Sequence, residues 1–429
     1  MPKYIGIKNG KIQVISDNKF VNIDLEVLEL PERLHNISAE KLLLEYIVKN
    51  SNVFHIDERK NVKDLKVAII TNWKMRCGIS TYGENLLTSL IPKLGDFKIF
   101  AEHNEHPTGQ ANELNGLTFD ASKIIHCWHR GENLKNLIEE IRAYDPDIIW
   151  CNHEWGLFPV ARHYLSFLTQ LSNYRIITTM HSTFHHRDKS ICEAAAPEII
   201  IHLEGAKAIL KEEKCISSKV YMIPHGCTPL INNERLWNLY RSDVTIVMSG
   251  FGFKYKRWES ALEATSLLKE KYPNVFFTGL FSESPFAKFE HQKYYNELMN
   301  LITKLKIEDN VALIRGFQSD QSLDSFLRIN KVALFPYVSA PGHEVQGASG
   351  AARLAMSKGI PVVSSSIPHF SDVPSIKADT PQQMADAIER LCLSKTNVEQ
   401  QVKLQNEFLE VNSWENTALK YIQVFENKF

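Results

Sequence analysis

The chain has 429 residues, 44% hydrophobic and 23% charged, enough apolar material for two or three packed domains at about 150 residues each. Lys plus Arg number 49 and Asp plus Glu 50, a formal charge of −1, which excludes a surface given over wholly to nucleic acid or an anionic membrane but not a local basic patch. No apolar run reaches the ~18 residues of a membrane span, Met1-Pro2-Lys3-Tyr4 opens no signal peptide, and seven cysteines without short paired spacing indicate reduced thiols, neither a disulfide framework nor a four-Cys zinc site. The expectation is a cytoplasmic protein, at most peripheral to a membrane.

In chain order, residues 4–7 and 11–15 flank Asn9-Gly10 as a hairpin, 20–30 alternate like a third strand closed by Pro31, and Ser38 caps a short helix over 42–49. Residues 1–64 therefore read as a small appended module. From Val67 the pattern becomes strand, glycine turn, helix, and it repeats. Buried parallel strands are expected at 67–71, 98–100, 148–150, 176–179 and 199–201, with helices at 82–90, 134–144 and 206–213. A second series has strands at 244–248, 275–277, 311–314, 332–335 and 361–363, with helices at 258–271 and 294–305. The fold class is α/β, with two doubly wound sheets facing a cleft. Ile223-Pro224-His225-Gly226-Cys227 and the polar stretch to Asp243 read as the hinge, which places one domain over 65–235 and the other over 236–405.

Ligands of open parallel sheets bind at the carboxyl ends of the strands, so the candidate residues are sought there. Gly347, Ala348, Ser349, Gly350 and Ala351 open a helix with small residues, letting a diphosphate approach free backbone amides and the positive end of the helix dipole; close helix-to-sheet packing explains the same composition. Gly78 lies in the turn after the first strand of the first domain. Lys254, Lys256 and Arg257 form a basic cluster after the first strand of the second, against a plain reading as a solvated helix start. His153-Glu154 and His181 follow strands that end at the cleft. His181, His185 and His186 lack the further ligands zinc needs, so no metal is expected, and Asp145-Pro146-Asp147 reads as a turn at the far end of the sheet.

Several pieces stand together in one order: Cys77-Gly78-Ile79-Ser80-Thr81-Tyr82, Asn152-His153-Glu154-Trp155-Gly156, Thr178-Thr179-Met180-His181, Ile223-Pro224-His225-Gly226, Phe251-Gly252-Phe253 before Lys256, Arg315-Gly316-Phe317, Leu334-Phe335-Pro336-Tyr337, and residues 347–355 before Gly359-Ile360-Pro361. From about residue 66 onward, the chain resembles retaining family 4 glycosyltransferases of the GT-B fold, whose two Rossmann-like domains enclose a nucleotide-sugar. Ser413-Trp414-Glu415-Asn416 through Tyr421 resembles that family's C-terminal helix, so residues 406–429 are expected to cross back to the first domain.

The resemblance implies a metal-independent sugar transfer without a cofactor, the nucleotide-sugar being a substrate. It places His181 beside the transferred sugar and Lys256 on the diphosphate leaving group. Gly78, Lys254, Arg257, Glu344, Gln346 and residues 347–351 fall to donor binding, and Ile79, Ser80, His153 and Glu154 to the acceptor side. Two departures stand out. The family's pair of glutamates falls on Gln346 and Leu354, with Glu344 a candidate substitute, and the basic residue usual before the lysine has only Lys254 or Arg257 in its place. The acceptor is open among a lipid-linked sugar, polysaccharide, protein, small molecule and modified DNA base, and a homo-oligomer contact is a candidate role of residues 1–64. Two other readings stand beside the transferase: a nucleotide-sugar epimerase on the same fold, which needs no acceptor, and a catalytically silent nucleotide-sugar binding protein.

Overall fold

The computed structural model describes residues 3–8, 11–16, 19–24, 61–105, 107–185, 187–195, 197–212, 219–230, 242–284, 287–339 and 345–427. The Asn9-Gly10 turn, the helix expected over 42–49 and Glu344 lie outside these residues. The chain divides into two compact units, Met1–Val62 with Gln423–Phe429, and Lys63–Ile422. In the first, β1 (Lys3–Lys8), β2 (Lys11–Ser16) and β3 (Lys19–Asp24) form an antiparallel meander, with Lys3 opposite Ile15 and Lys11 opposite Asp24. Near its chain return, the Val62 amide donates to Glu426 Oε1 at 2.8 Å.

The larger unit holds two parallel sheets. The first is built from β4 (Lys66–Thr71), α1 (Gly78–Leu90), β5 (Asp96–Glu102), the short pair β6 (Glu113–Leu114) and β7 (Leu117–Thr118), β8 (Ile124–Trp128), α2 (Lys135–Tyr144), β9 (Ile148–His153) and α3 (Ala161–Gln170). It continues through β10 (Arg175–Met180), β11 (Ser182–Thr183), α4 (Lys189–Ala195), β12 (Glu198–Ile201), α5 (Gly205–Glu212) and β13 (Val220–Met222). The strand order is β13-β12-β10-β9-β4-β5-β8, with β6 and β7 pairing apart from it. The second sheet comprises β14 (Thr245–Phe251), α6 (Trp258–Lys271), β15 (Phe276–Ser282), α7 (Lys288–Leu305), β16 (Val311–Arg315), α8 (Asp320–Ile329) and β17 (Val332–Phe335). After it come β18 (Gln346–Gly347), α9 (Gly350–Ser357), β19 (Val362–Ser364), β20 (Ile376–Lys377), α10 (Pro381–Leu393), α11 (Lys395–Val411) and α12 (Trp414–Phe425), in strand order β16-β15-β14-β17-β19-β20. This is the GT-B architecture of two Rossmann-like domains.

The strands read as unbroken apolar runs because helices cover both faces: every residue of β9 and of β17 is buried. Each sheet has its own core, one around Ile149, Tyr164 and Phe167, the other around Val247, Phe277 and Trp258. Local signals set the element ends. Thr380 and Gln383 form a reciprocal capping box with Pro381 in the first turn of α10. Asp145 closes α2 in the left-handed region, and Asp147 Oδ2 accepts from the Lys66 amide at 2.9 Å, so this acidic pair is a turn at the amino end of the sheet. Residues 126–128 belong to β8. Cys127 and Trp128 are buried, and only His126 of that strand faces out. The two flanking histidines disguised an edge strand.

The first domain also meets α12. Tyr421 lies in the core with its hydroxyl 2.9 Å from that of Tyr82 and 2.8 Å from Thr179 Oγ1, which also accepts from Trp150 Nε1 at 2.9 Å. Replacing Tyr421 by Phe removes two bonds from a buried network, so a loss of about 1–3 kcal/mol is expected in urea unfolding. An unchanged midpoint would show that the two remaining hydroxyls satisfy each other.

Candidate active site

Lys256 sits in a short 3-10 turn (Lys254–Lys256) that leaves the carboxyl end of β14. Its side chain does not reach into water. The residue is 8% exposed, and Nζ donates to Tyr337 Oη at 2.6 Å while lying 4.0 Å from the centre of that ring. The lysine folds over Gly250, whose φ of +147° few L side chains adopt and where an added Cβ would lie 3.2 Å from Nζ. Burial without a carboxylate partner pulls the ammonium down to about 7. Nearby, His369 is driven to about 4, first by its own burial and then by the Lys256 charge.

Tyr337 connects this lysine to helix α9, because its hydroxyl also meets the Ser349 side chain. Ser349 is the N-cap, with Oγ accepting from the Ala352 amide at 3.3 Å, and its own amide donates to the His369 carbonyl. The amides of Gly350 and Ala351 have no hydrogen-bond partner among the described residues, and Gly350 is exposed. A buried lysine and two unpaired helix N-terminal amides thus share one side of the second domain. This arrangement suits an anion with several oxygens.

Across the cleft, His181 follows β10 and lies in a group of rings. Its ring centroid is 4.6 Å from that of Tyr82 and 5.2 Å from that of His202, and Tyr82 also contacts His225 at 4.8 Å and Trp414 at 5.3 Å. His181 Nε2 stands 3.2 Å from Asn152 Oδ1. Burial holds His181 and His225 well below the usual histidine range and brings His202 to about 4, so all three rings are neutral at pH 7. No described group of His, Cys, Asp and Glu has the geometry to hold a metal ion.

Glu154, at the end of β9, is largely withdrawn from solvent. Burial pushes its carboxyl up to about 7; the Ser182 hydroxyl opposes that rise, and the Asp188 carboxylate adds to it. Its charge is felt by Tyr255 of the second domain, which places it in the cleft. Asp188 fixes the turn by accepting from Trp155 Nε1 at 2.8 Å and from the Phe184 amide at 2.6 Å. Because the folded carboxyl binds its proton more tightly than the unfolded one, Glu154 makes stability fall as pH rises from about 4.5 to about 7. Relative to the wild type, Glu154→Gln is therefore expected to melt higher at pH 8 than at pH 5. Parallel Tm curves for the two proteins would show an ordinary, ionised carboxylate.

Several expected site residues are employed elsewhere. His153 is fully buried, stacked 5.6 Å from Phe158 and tilted against Tyr164 at 4.5 Å, with burial lowering it to about 3; its ring lies among core aromatics. Ser80 is buried, its Oγ accepting from the Met75 amide at 3.0 Å and donating to Glu84 at 2.9 Å, so it braces the loop before α1. Ile79 packs on the first core. Gly78 starts α1 with open space where a Cβ would stand. Lys254 is exposed and pairs with Glu297 at 2.9 Å, and Arg257 lies 3.0 Å from Glu259 on its own helix, so neither adds a free cation beside Lys256.

Gly347 is committed to a two-residue antiparallel ladder in which β18 of the second domain pairs with β11 of the first, Gly347 opposite Ser182 and Gln346 opposite Thr183. A Cβ at Gly347 would lie 3.1 Å from the His181 carbonyl. Ala348 follows, half-buried. The Gln346 amide presses on Gly205 at the start of α5, 2.5 Å from an added Cβ, and Leu354 packs on the second core. Tyr82, His202, His225, Tyr337 and Asp188 also lie here, none with a role assigned from the sequence, although Tyr82, His225 and Tyr337 stand in the stretches that carry the resemblance. His202 ends a predicted strand as His181 does, and that position was its available signal.

No family model matches the chain, and no curated protein matches it. Solved structures do. A glycosyltransferase from Rickettsia africae ESF-5 is 14% identical with a TM-score of 0.65, over 85% of this chain and 98% of that one. Sucrose-phosphate synthase from Thermosynechococcus elongatus is 15% identical with a TM-score of 0.62, over 84% and 98%. HepE of Anabaena, solved with UDP and glucose, is 12% identical with a TM-score of 0.58, over 85% and 100%. At such identities the likeness is one of fold.

Proposed function

We propose that the chain is a retaining glycosyltransferase that moves a sugar from a nucleotide-sugar, with a uridine diphosphate leaving group, to an acceptor hydroxyl. The observation that carries this reading is Lys256, buried and joined through Tyr337 to the Ser349 cap of a helix with two unpaired amides. The UDP and glucose in the HepE structure support the donor class. As the bond from the sugar C1 to the diphosphate oxygen breaks, its electron pair goes to that oxygen. Lys256 and the Gly350 and Ala351 amides hold the new charge in a site shielded from water. His181, neutral and held by Asn152, presents its ring to the sugar face, while the acceptor oxygen bonds to C1 and its proton passes to the departing phosphate oxygen on the same side. The lysine and amides supply the charge a metal would otherwise bring, so turnover is expected to persist in EDTA.

The test is a panel of nucleotide-sugars screened for a rise in Tm, followed by mass detection of released diphosphate and of glycosylated acceptor. Stabilisation by a UDP-sugar with diphosphate release is the expected result. Conversion of the donor into an epimer without acceptor would replace the reading by an isomerase, and binding without any turnover by a silent nucleotide-sugar protein.

A further inference from the structure

The β11–β18 ladder marks a line through the cleft. On one side, β9 and β14 bring Glu154 and Tyr255 together; on the other, the chain just after β12 and the edge strand β13 line one cavity with the segments after β19 and before β20. A cavity of about 670 Å³ lies on this second, hinge-side flank, with His202, Met222, Gln346, Ser371, Asp372 and Phe408 in its wall.

Its chemistry differs from that of the diphosphate side. No described residue that lines it is Lys or Arg. His202, 3% exposed, has Nδ1 at 2.9 Å from the Ile223 carbonyl, which puts the proton on Nδ1 and leaves Nε2 an acceptor with no partner among the described residues. Asp372 gives one oxygen to Arg353, whose guanidinium is buried behind it, and its other oxygen has no partner among the described residues. Gln346 adds an amide. Met222 and Phe408 supply apolar surface. Acceptors without cations repel a phosphate or carboxylate and call for hydroxyl donors, while the apolar wall suits the C–H face of a ring.

We infer that the hinge-side cavity binds an uncharged saccharide ring, at a site separate from that of the nucleotide diphosphate. A ring there has two sources, a unit of the acceptor or a free saccharide that tunes turnover. The site stands whether or not the chain transfers a sugar.

The experiment uses the full chain and titrates glucose, mannose, N-acetylglucosamine, maltose and trehalose by saturation-transfer NMR, with glucuronate and glucose 6-phosphate as charged counterparts. At least one neutral sugar is expected to bind saturably, each charged counterpart at least tenfold more weakly, and saturating UDP is expected to leave the neutral sugar bound. Ser371→Trp fills the cavity from an exposed position and is expected to weaken binding at least tenfold without moving Tm; His202→Leu, which removes the acceptor, is the second variant. Absence of saturable binding by all five neutral sugars, displacement by UDP, or affinity unchanged in both folded variants overturns the inference. With a donor present, a mass increase of the bound sugar identifies it as acceptor, and altered donor turnover without that increase identifies a regulator; either effect is expected to be lost in Ser371→Trp, and its persistence there counts against the cavity. Loss of donor turnover with saccharide binding intact would count against the transferase alone.

Discussion

A Lys256→Met variant is expected to lose about 10²- to 10³-fold in turnover, roughly 3–4 kcal/mol of transition-state stabilisation, while remaining folded. Methionine keeps the length and apolar contacts of a side chain that lies over Tyr337 and is 8% exposed, but it brings no charge to the leaving oxygens. The wild-type amine also makes donor binding depend on pH with a definite sign. With its folded value near 7, it is largely neutral at pH 8 before the ligand arrives, and a bound diphosphate raises it. UDP binding above pH 7 therefore takes up a proton, and affinity falls with rising pH by up to about tenfold per unit. Calorimetry in buffers of different ionisation heat reads that proton directly. Unchanged turnover in the variant would remove Lys256 from the site, and a UDP affinity constant from pH 7 to 9 would show that the amine is charged before binding.

Gly226→Val is expected to cost about 3 kcal/mol or more, for a reason that has nothing to do with φ. A Cβ at Gly226 would stand 2.1 Å from Cε3 and 2.4 Å from Cζ3 of Trp414, distances that no rotamer of a packed indole absorbs. Trp414 also touches Tyr82 and His225, at 5.3 and 5.5 Å between ring centroids, and the Cys227 amide and carbonyl bond to Asn412 and Trp414. Moving the indole thus detaches the start of α12 from the first domain. Urea unfolding and limited proteolysis of the C-terminal segment report the loss, and Trp414→Ala in the same chain should recover part of it. An unchanged unfolding midpoint for Gly226→Val would mean the indole has room to move.

The alternating strands and helices were legible because buried parallel strands are written as apolar runs, and positions such as 148–150 and 332–335 allow little else. Site residues were less so. The rule that functional side chains follow strand ends led to His181 and Glu154, which lie at the cleft, and equally to His153, whose position in the pleat turns it toward core rings while Asn152 before it faces His181. By composition alone Lys256 is one member of a basic cluster, and the resemblance singled it out; the structure separates it by packing from Lys254, which meets Glu297, and Arg257, which meets Glu259. Tyr337, Asp188 and Tyr421 act through partners tens to hundreds of residues away in sequence, a separation that no local pattern encodes.

The pairing of Gly347 with Ser182 joins the two domains through only two residues on each side. A ladder that short contributes a hydrogen bond or two, each worth about 1 kcal/mol net. Its own share in holding the cleft shut is therefore a few RT, an amount that thermal motion overcomes on the microsecond-to-millisecond scale of domain hinging. On the proposed transfer reaction, a clasp of this strength would shield the departing diphosphate for the duration of the chemical step and still let product leave. Strengthening it, by lengthening the ladder, is expected to slow product release and lower turnover even with the chemistry at Lys256 intact.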